Sequence, residues 1–228
     1  MKKAKHILLV VICITFVTFS FAQIKSYSIK NGIGLQGGIT QFDILTDNFI
    51  TQKNNGFIGG FASSVDIPHR WYNVSYNIQL SQNHIDIAAF SLDNPTITTE
   101  EFVEYKMLAA NVSFLFHIKL ISNNFTLDIG PMVQYNSELE LKDDSKEGYI
   151  ISNYENLLTE DIREISNFNA NGTVGFSLGL RRLKLRAQYI YGFTNMLGRL
   201  NDQDLDTEGN GKFKGNESLM ALTAIITF

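Results

Sequence analysis

The stretch Asn169 to Phe193, NANGTVGFSLGLRRLKLRAQYIYGF, constrains the chain most. Ala170, Gly172, Val174, Phe176, Leu178 and Leu180 alternate with Asn171, Thr173, Gly175, Ser177 and Gly179, the period-two pattern of a strand between two unlike environments. After Arg181-Arg182 the alternation resumes, with Leu183, Leu185, Ala187, Tyr189, Tyr191 and Phe193 set against Lys184, Arg186 and Gln188. Two strands of roughly ten residues joined by a tight turn match the ~9–11 residues of a tilted transmembrane β-strand. The pattern is read as a hairpin facing lipid.

The N-terminus decides where such a hairpin can go. Lys2, Lys3 and Lys5, an apolar run from Ile7 to Phe21 and the small-x-small step Ser20-Phe21-Ala22 make residues 1–22 a secretory leader. The mature chain, residues 23–228, then forms one domain. Cys13 is the only cysteine and leaves with the leader, so no disulfide, thiol nucleophile or cysteine metal ligand is expected. Loss of the three leader lysines leaves 16 Lys/Arg against 23 Asp/Glu, a balance that disfavours nucleic acid as a partner. No apolar run of ~18 residues follows Gln23, so a secreted chain that crosses a bilayer must do so as a closed barrel.

Six further segments fit that plan. Strands are predicted over Gly32 to Phe42, Gly56 to Ile67, Trp71 to Ser81, Tyr105 to Leu120, Phe125 to Tyr135 and Glu217 to Phe228, beside the two of the hairpin. The cleanest sets Tyr72, Val74, Tyr76, Ile78 and Leu80 against Asn73, Ser75, Asn77, Gln79 and Ser81. Pro131 inside the fifth strand removes a ladder donor, so a bulge is expected there. Turns at Pro68, Ser122 and Arg181 are short. The polar stretches Asp43 to Asn55, Asn83 to Glu101, Asn136 to Asn167 and Thr194 to Asn216 read as long connections. Within the third, a capping-box pattern from Ser152 to Glu155, with Tyr154, Leu158, Ile162 and Ile165 at helical spacing, suggests a short amphipathic helix over the barrel mouth. The expected fold is an all-β, eight-stranded antiparallel up-and-down transmembrane β-barrel with short periplasmic turns and long outer loops.

The pieces GLQGGITQF, AANVSFLFHIKL, NNFTLDIGPMVQY, VGFSLGLRR and LRAQYIYGFTNML resemble the PorT-like outer-membrane β-barrel domain of Bacteroidota over nearly all of Asn31 to Phe228. That resemblance implies an eight-stranded barrel in the cell outer membrane. The terminal ALTAIITF, ending on Phe228, resembles the signal read by the barrel-insertion machinery, an implied partner beside the lipid bilayer.

With the apolar set outward, the other set fills the lumen. Asp66, His117, Lys119, Asp128, Lys184 and Arg186 should gather in its periplasmic half as a paired, hydrogen-bonded plug, because an eight-stranded barrel is only wide enough for side chains. Trp71, Tyr72, Phe125 and Phe228 are expected at the periplasmic interface, and Phe57, Tyr135, Tyr191 and Phe193 at the outer one. Catalysis and cofactors find little support. His84, Asp86 and Ser91 have only loose hydrolase-like spacing. Asp202, Asp204 and Asp206 alternate as in a calcium loop, but the places for its Gly and bidentate Glu hold Thr207 and Phe213. The expected role is structural or interactive, through long acidic outer loops. The alternatives are a soluble lipocalin-like carrier of an apolar ligand, with the strands turned inside out, and a narrow ion-conducting pore through Asp128, His117 and Arg186.

Overall fold

The computed structural model describes residues 29–91, 100–180, 182–205 and 211–228. The expected leader, Pro95, Arg181 and Asp206 lie outside the described residues. Eight long strands form the wall: β1 (Lys30–Leu45), β2 (Thr51–Asp66), β3 (Tyr72–Phe90), β4 (Glu100–Ile121), β5 (Phe125–Asn136), β8 (Phe168–Gly179), β9 (Leu183–Gly192) and β10 (Asn216–Thr227). Each pairs antiparallel with the next in sequence, and β10 returns to β1 from Gly34 opposite Thr227 to Leu45 opposite Asn216. The ring therefore closes as an up-and-down barrel without a free edge, the arrangement that removes unpaired backbone groups from a sheet. Two two-residue strands, β6 (Glu140–Leu141) and β7 (Ile150–Ile151), add to β4 and β3 beyond the ends of β5 and β2.

Two expected connections turn out to be strand. Asp43 to Asn55 is not a long loop, because β1 runs to Leu45 and β2 starts at Thr51. Likewise β3 runs to Phe90 and β4 starts at Glu100, paired over their whole length from Tyr72–Ile118 to Phe90–Glu100. At the opposite rim the turns are short, as expected. β3 and β4 thus rise beyond β2 and β5 as a tall wall.

The reason lies in the side-chain pattern, which inverts part-way up. Along β3 the inward residues are Asn73, Ser75, Asn77, Gln79, Ser81 and Asn83, then Ile85, Ile87 and Ala89; all are buried. Outward, Tyr76, Ile78 and Leu80 are more than half exposed, and Gln82 and Asp86 follow. On β4 the change falls at the same height, where Leu108 pairs with Gln82. Below it Leu108, Val112 and Phe116 are exposed and Asn111 and Ser113 buried; above it Glu104 and Lys106 point out while Tyr105 and Met107 are buried. On β1, buried Gln36 and Thr40 give way to buried Phe42 and Ile44. The β2–β3 register shifts between Lys53 and Phe57, at this same level. Lower wall and upper wall are therefore built for opposite surroundings, polar inside below and apolar inside above.

Residues 137–167, 193–205 and 211–215 supply the rest of the upper apolar core. Leu139, Leu157, Ile162, Ile165, Met196, Leu197, Leu200 and Phe213 pack with Phe42, Ile44, Ile85, Ile87 and Tyr105. Phe49, Tyr154 and Phe213 form an aromatic cluster with centroids 5.7–6.2 Å apart. The expected amphipathic helix is absent. Asn153 takes a left-handed φ of 75°, and the neighbouring amides bond elsewhere: Ile151 N–H donates to Leu157 O and Ser152 N–H to Ala88 O. Tyr154, Ile162 and Ile165 still bury, docked as irregular chain on the tall wall.

Pro131 does not cause a bulge. Register with β4 is the same on both sides of it, from Ser113–Met132 to Phe116–Ile129, and pairing to β8 is continuous. The ladder to β4 simply lapses at the proline, next to Gly130, where a Cβ would fall 1.9 Å from Phe114 O. Only glycine permits that approach.

Candidate functional site: a polar lumen under an apolar cap

Asp128, fully buried, sits at the centre of the lumen's short-turn half. The strand register brings its partners round it: His117 lies opposite Asp128 across β4–β5, and Arg186 opposite Ser177 across β8–β9. His117 Nδ1 is 2.7 Å from Asp128 Oδ1, and Nε2 of the same ring is 2.7 Å from Ser75 Oγ. The Thr126 hydroxyl donates to Oδ1 at 2.7 Å, and the Ser177 hydroxyl makes a very short bond to Oδ2. Arg186 Nε lies 3.3 Å from Oδ2 and donates to Ser177 Oγ at 3.0 Å. One arm of the guanidinium continues to Asn77 Oδ1 at 3.3 Å, and the Asn77 amide donates to Ser75 and Ser113. Carboxylate and guanidinium are thus desolvated together, each with several hydrogen bonds, which is the condition for burying charge without large cost.

A second pair lies nearer the short-turn rim. Lys119 Nζ is 3.3 Å from Asp66 Oδ1 and donates to Ile67 O at 3.1 Å, while Asn123 donates to Asp66 Oδ2 at 2.8 Å. Of the six residues expected to form one network, the structure joins Asp128, His117 and Arg186 in one cluster and Asp66 and Lys119 in another. Lys184 faces the lumen beside them but makes no ion pair among the described residues. Below the Asp128 cluster the lumen opens into a vestibule of about 950 Å3 at the short-turn rim.

Sequence reasoning missed one lumen acid. Glu217, fully buried near the lumen's upper end, accepts from Gln134 Nε2 at 2.7 Å and Asn171 Nδ2 at 2.9 Å on the same oxygen. At the start of a predicted strand it read as a boundary residue; its parity with inward Leu219 and Ala221 was the available signal. Above Glu217 the apolar cap begins, so the lumen is lined with polar groups and closed by hydrocarbon at the loop rim.

The other candidates do not assemble. His84 and Asp86 lie on the outer face of β3 with separate partners: His84 Nδ1 is 2.8 Å from Glu104 Oε1, and Asp86 accepts from Asn54 at 2.9 Å. Ser91 follows the end of the strand. Asp202 ends a short 3-10 helix and Asp206 is outside the described residues. Among the described residues no three His, Cys, Asp or Glu side chains are grouped to hold a metal.

Outside, apolar side chains encircle the lower wall: Ile33 and Leu35 on β1, Phe61 on β2, Ile78 on β3, Val112 on β4, Ile129 on β5, Phe176 on β8, Leu185 on β9 and Leu222 on β10, all exposed. Trp71, at 66 % exposure, and Phe228, at 81 %, edge this belt at the short-turn rim with half-buried Tyr72 and Phe125. Phe57, Tyr135, Phe168, Tyr191 and Phe193 edge it on the other side.

No family model matches the chain, and no curated relative matches its sequence. Among solved structures the chain is similar to the crystal structure of Neisserial surface protein A (NspA), with a TM-score of 0.45 and 8% identity, over 89% of this chain and 100% of that one. The antiparallel eight-stranded ring rests on the strand pairing itself.

Proposed function

We propose that this protein is a small outer-membrane barrel of the PorT-like kind, with lipid around its lower wall, a lumen that does not conduct, and a structural or interaction role carried by its rigid cap. The observation that carries the reading is the inversion of both faces at one height. Tyr72 to Leu80 spans nine residues of β3; at a rise of ~3.3 Å and a tilt of ~40°, that is about 23 Å, close to the ~25 Å apolar band of outer-membrane barrels. Above it the wall changes to the pattern of a water-soluble sheet, as a segment leaving the bilayer must. The PorT-like kinship rests on the sequence pieces quoted above. The leader and the β10 strand ending near Phe228 support insertion by the barrel machinery of the outer membrane.

Charge supports a role for the cap. Among the described residues the short-turn half carries Lys30, Arg70, Lys119, Arg182, Lys184 and Arg186 against Asp66 and Asp128. Nearly all the remaining acids lie in the cap and upper wall, including Glu138, Glu140, Asp143, Asp144 and Glu147. A strongly acidic surface steers basic partners and repels acidic ones. The carrier alternative needs an apolar interior, whereas Asn77 and Arg186 are buried and Val174, Phe176 and Leu185 exposed. The pore alternative meets the apolar cap and the Asp128–Arg186 pair in series.

Liposome flotation of the refolded mature chain, with heat-modifiable gel mobility, tests the reading. Stable flotation and no conductance steps in planar bilayers are expected; a chain that stays monomeric in buffer without surfactant and ignores vesicles overturns it.

A further inference from the structure

We propose that the vestibule at the short-turn rim is a binding site for a small polyvalent oxyanion, a compound bearing two or more phosphate or carboxylate charges. The cavity, about 950 Å3, lies at the large end of the range of small-molecule sites. Counting side chains, its walls and the residues just behind them hold Lys30, Lys119, Arg182, Lys184 and Arg186 against Asp66 and Asp128. Both acids are already engaged. Asp66 takes the Lys119 ammonium and the Asn123 amide, and Asp128 takes Arg186, His117 and two hydroxyls. Lys30, Arg182 and Lys184 have no ion pair among the described residues, which leaves positive charge in excess.

The placement of Lys184 separates it from ordinary surface lysines. Lys184 is an inward residue of β9, opposite Ile225 of β10 and Gly179 of β8, so the register holds its side chain in the lumen, partly out of solvent. Lys30 lies at the end of β1, two residues before lining residue Gly32, and Arg182 lies in the turn leading to β9; together they flank the mouth. A cleft lined with one sign of charge between low-dielectric walls focuses its field on the opening. An uncompensated ammonium in such a place is costly unless an anion joins it. Asn31 and Asn124 line the same cavity. One charge would leave part of the excess unanswered, so a polyvalent anion fits the site best.

Calorimetric titration of the mature chain, folded in a non-ionic detergent at low salt, tests this with pyrophosphate and citrate as separate probes. Saturable binding of at least one probe is expected, weakening with added salt. Lys184→Gln and Arg182→Gln should each reduce affinity by about tenfold, a loss of ~1.4 kcal/mol, while Lys53→Gln on the far half leaves it unchanged. A preference for pyrophosphate assigns a phosphate ligand and a preference for citrate a carboxylate one. Heat-modifiable mobility checks that each variant is folded, and if Lys184→Gln fails that check the rim variant Arg182→Gln decides. No saturation of either probe by ~10 mM, a concentration where even millimolar affinity shows, overturns the proposal, as does affinity that both variants leave intact. Because the titration needs only the folded barrel in detergent, its outcome is separate from that of the bilayer experiments.

Discussion

Replacing Arg186 with Met tests whether the lumen cluster is a stabilising plug. The guanidinium is 4 % exposed and Asp128 is 0 % exposed, 3.3 Å apart. Met fills most of the volume but removes the charge, leaving a buried carboxylate without its guanidinium and depriving Ser177 and Asn77 of a donor. Breaking a buried ion pair from one side costs about 3–5 kcal/mol. Because Asp128 keeps His117, Thr126 and Ser177, the low end applies, about 3 kcal/mol. With a urea dependence of ~2–3 kcal/mol per M, the unfolding midpoint should fall by about 1–1.5 M. Trp71 is the only tryptophan, so its emission reports unfolding in lipid vesicles without further labelling. Asp128→Asn should cost a similar amount. The double variant should cost less than the two together by about 2 kcal/mol, because it leaves neither charge stranded. A loss under ~1 kcal/mol for Arg186→Met, or strictly additive costs, would refute the reasoning.

Three further outcomes follow from the wall and cap. Gly130→Ala drives a methyl into Phe114 O, so it should fail to refold or lose several kcal/mol, on the order expected of a buried backbone clash, as read by gel mobility. Tyr105→Phe removes the bond from the buried phenol to Thr159 O, 2.9 Å long; about 1–3 kcal/mol of cap stability should be lost, measured as faster proteolysis within residues 137–167. The third concerns acid. Burial alone would raise the Glu160 carboxyl, but bonds from Gly148 N–H and the Thr159 hydroxyl, with Arg163 nearby, hold it below its ordinary value. A depressed carboxyl stabilises above its unfolded pKa and loses that contribution as pH falls through the folded one. Cap amides such as that of Gly148 should therefore lose hydrogen-exchange protection relative to neutral pH only below the ordinary glutamate range, and unchanged relative protection down to pH ~2 would contradict this.

Much of the wall was legible because one physical rule governs it: apolar and polar residues alternate between the two faces of each strand. The hairpin through Val174, Phe176, Leu185 and Tyr189, the closure through β10 and the inward set of β3 follow from that rule alone. The same rule, held in one phase, hid the upper wall. In HIDIAAF the apolar residues Ile85, Ile87 and Ala89 occupy the inward positions that Asn77 and Gln79 hold lower down. An inverted alternation therefore read as a polar connection. In residues 152–165 the four-residue spacing of Tyr154, Leu158 and Ile162 was real, but Asn153 in the left-handed region and bonding to the strand tops override helix. Pairing within the lumen was partly legible. Depth along each strand brings Asp128, His117 and Arg186 together, whereas the split into two clusters depends on side-chain reach that spacing does not encode.

Nitroxide labels on two outward positions of β4, Val112 and Lys106, address the central claim most directly, since six residues of one strand separate the exposed apolar belt from the charged upper wall. In lipid vesicles the label at Val112 should collide readily with oxygen and hardly at all with a water-soluble nickel complex, and the label at Lys106 should do the reverse. Equal access of the nickel complex to both positions would contradict the account, because the lower wall would then stand in water.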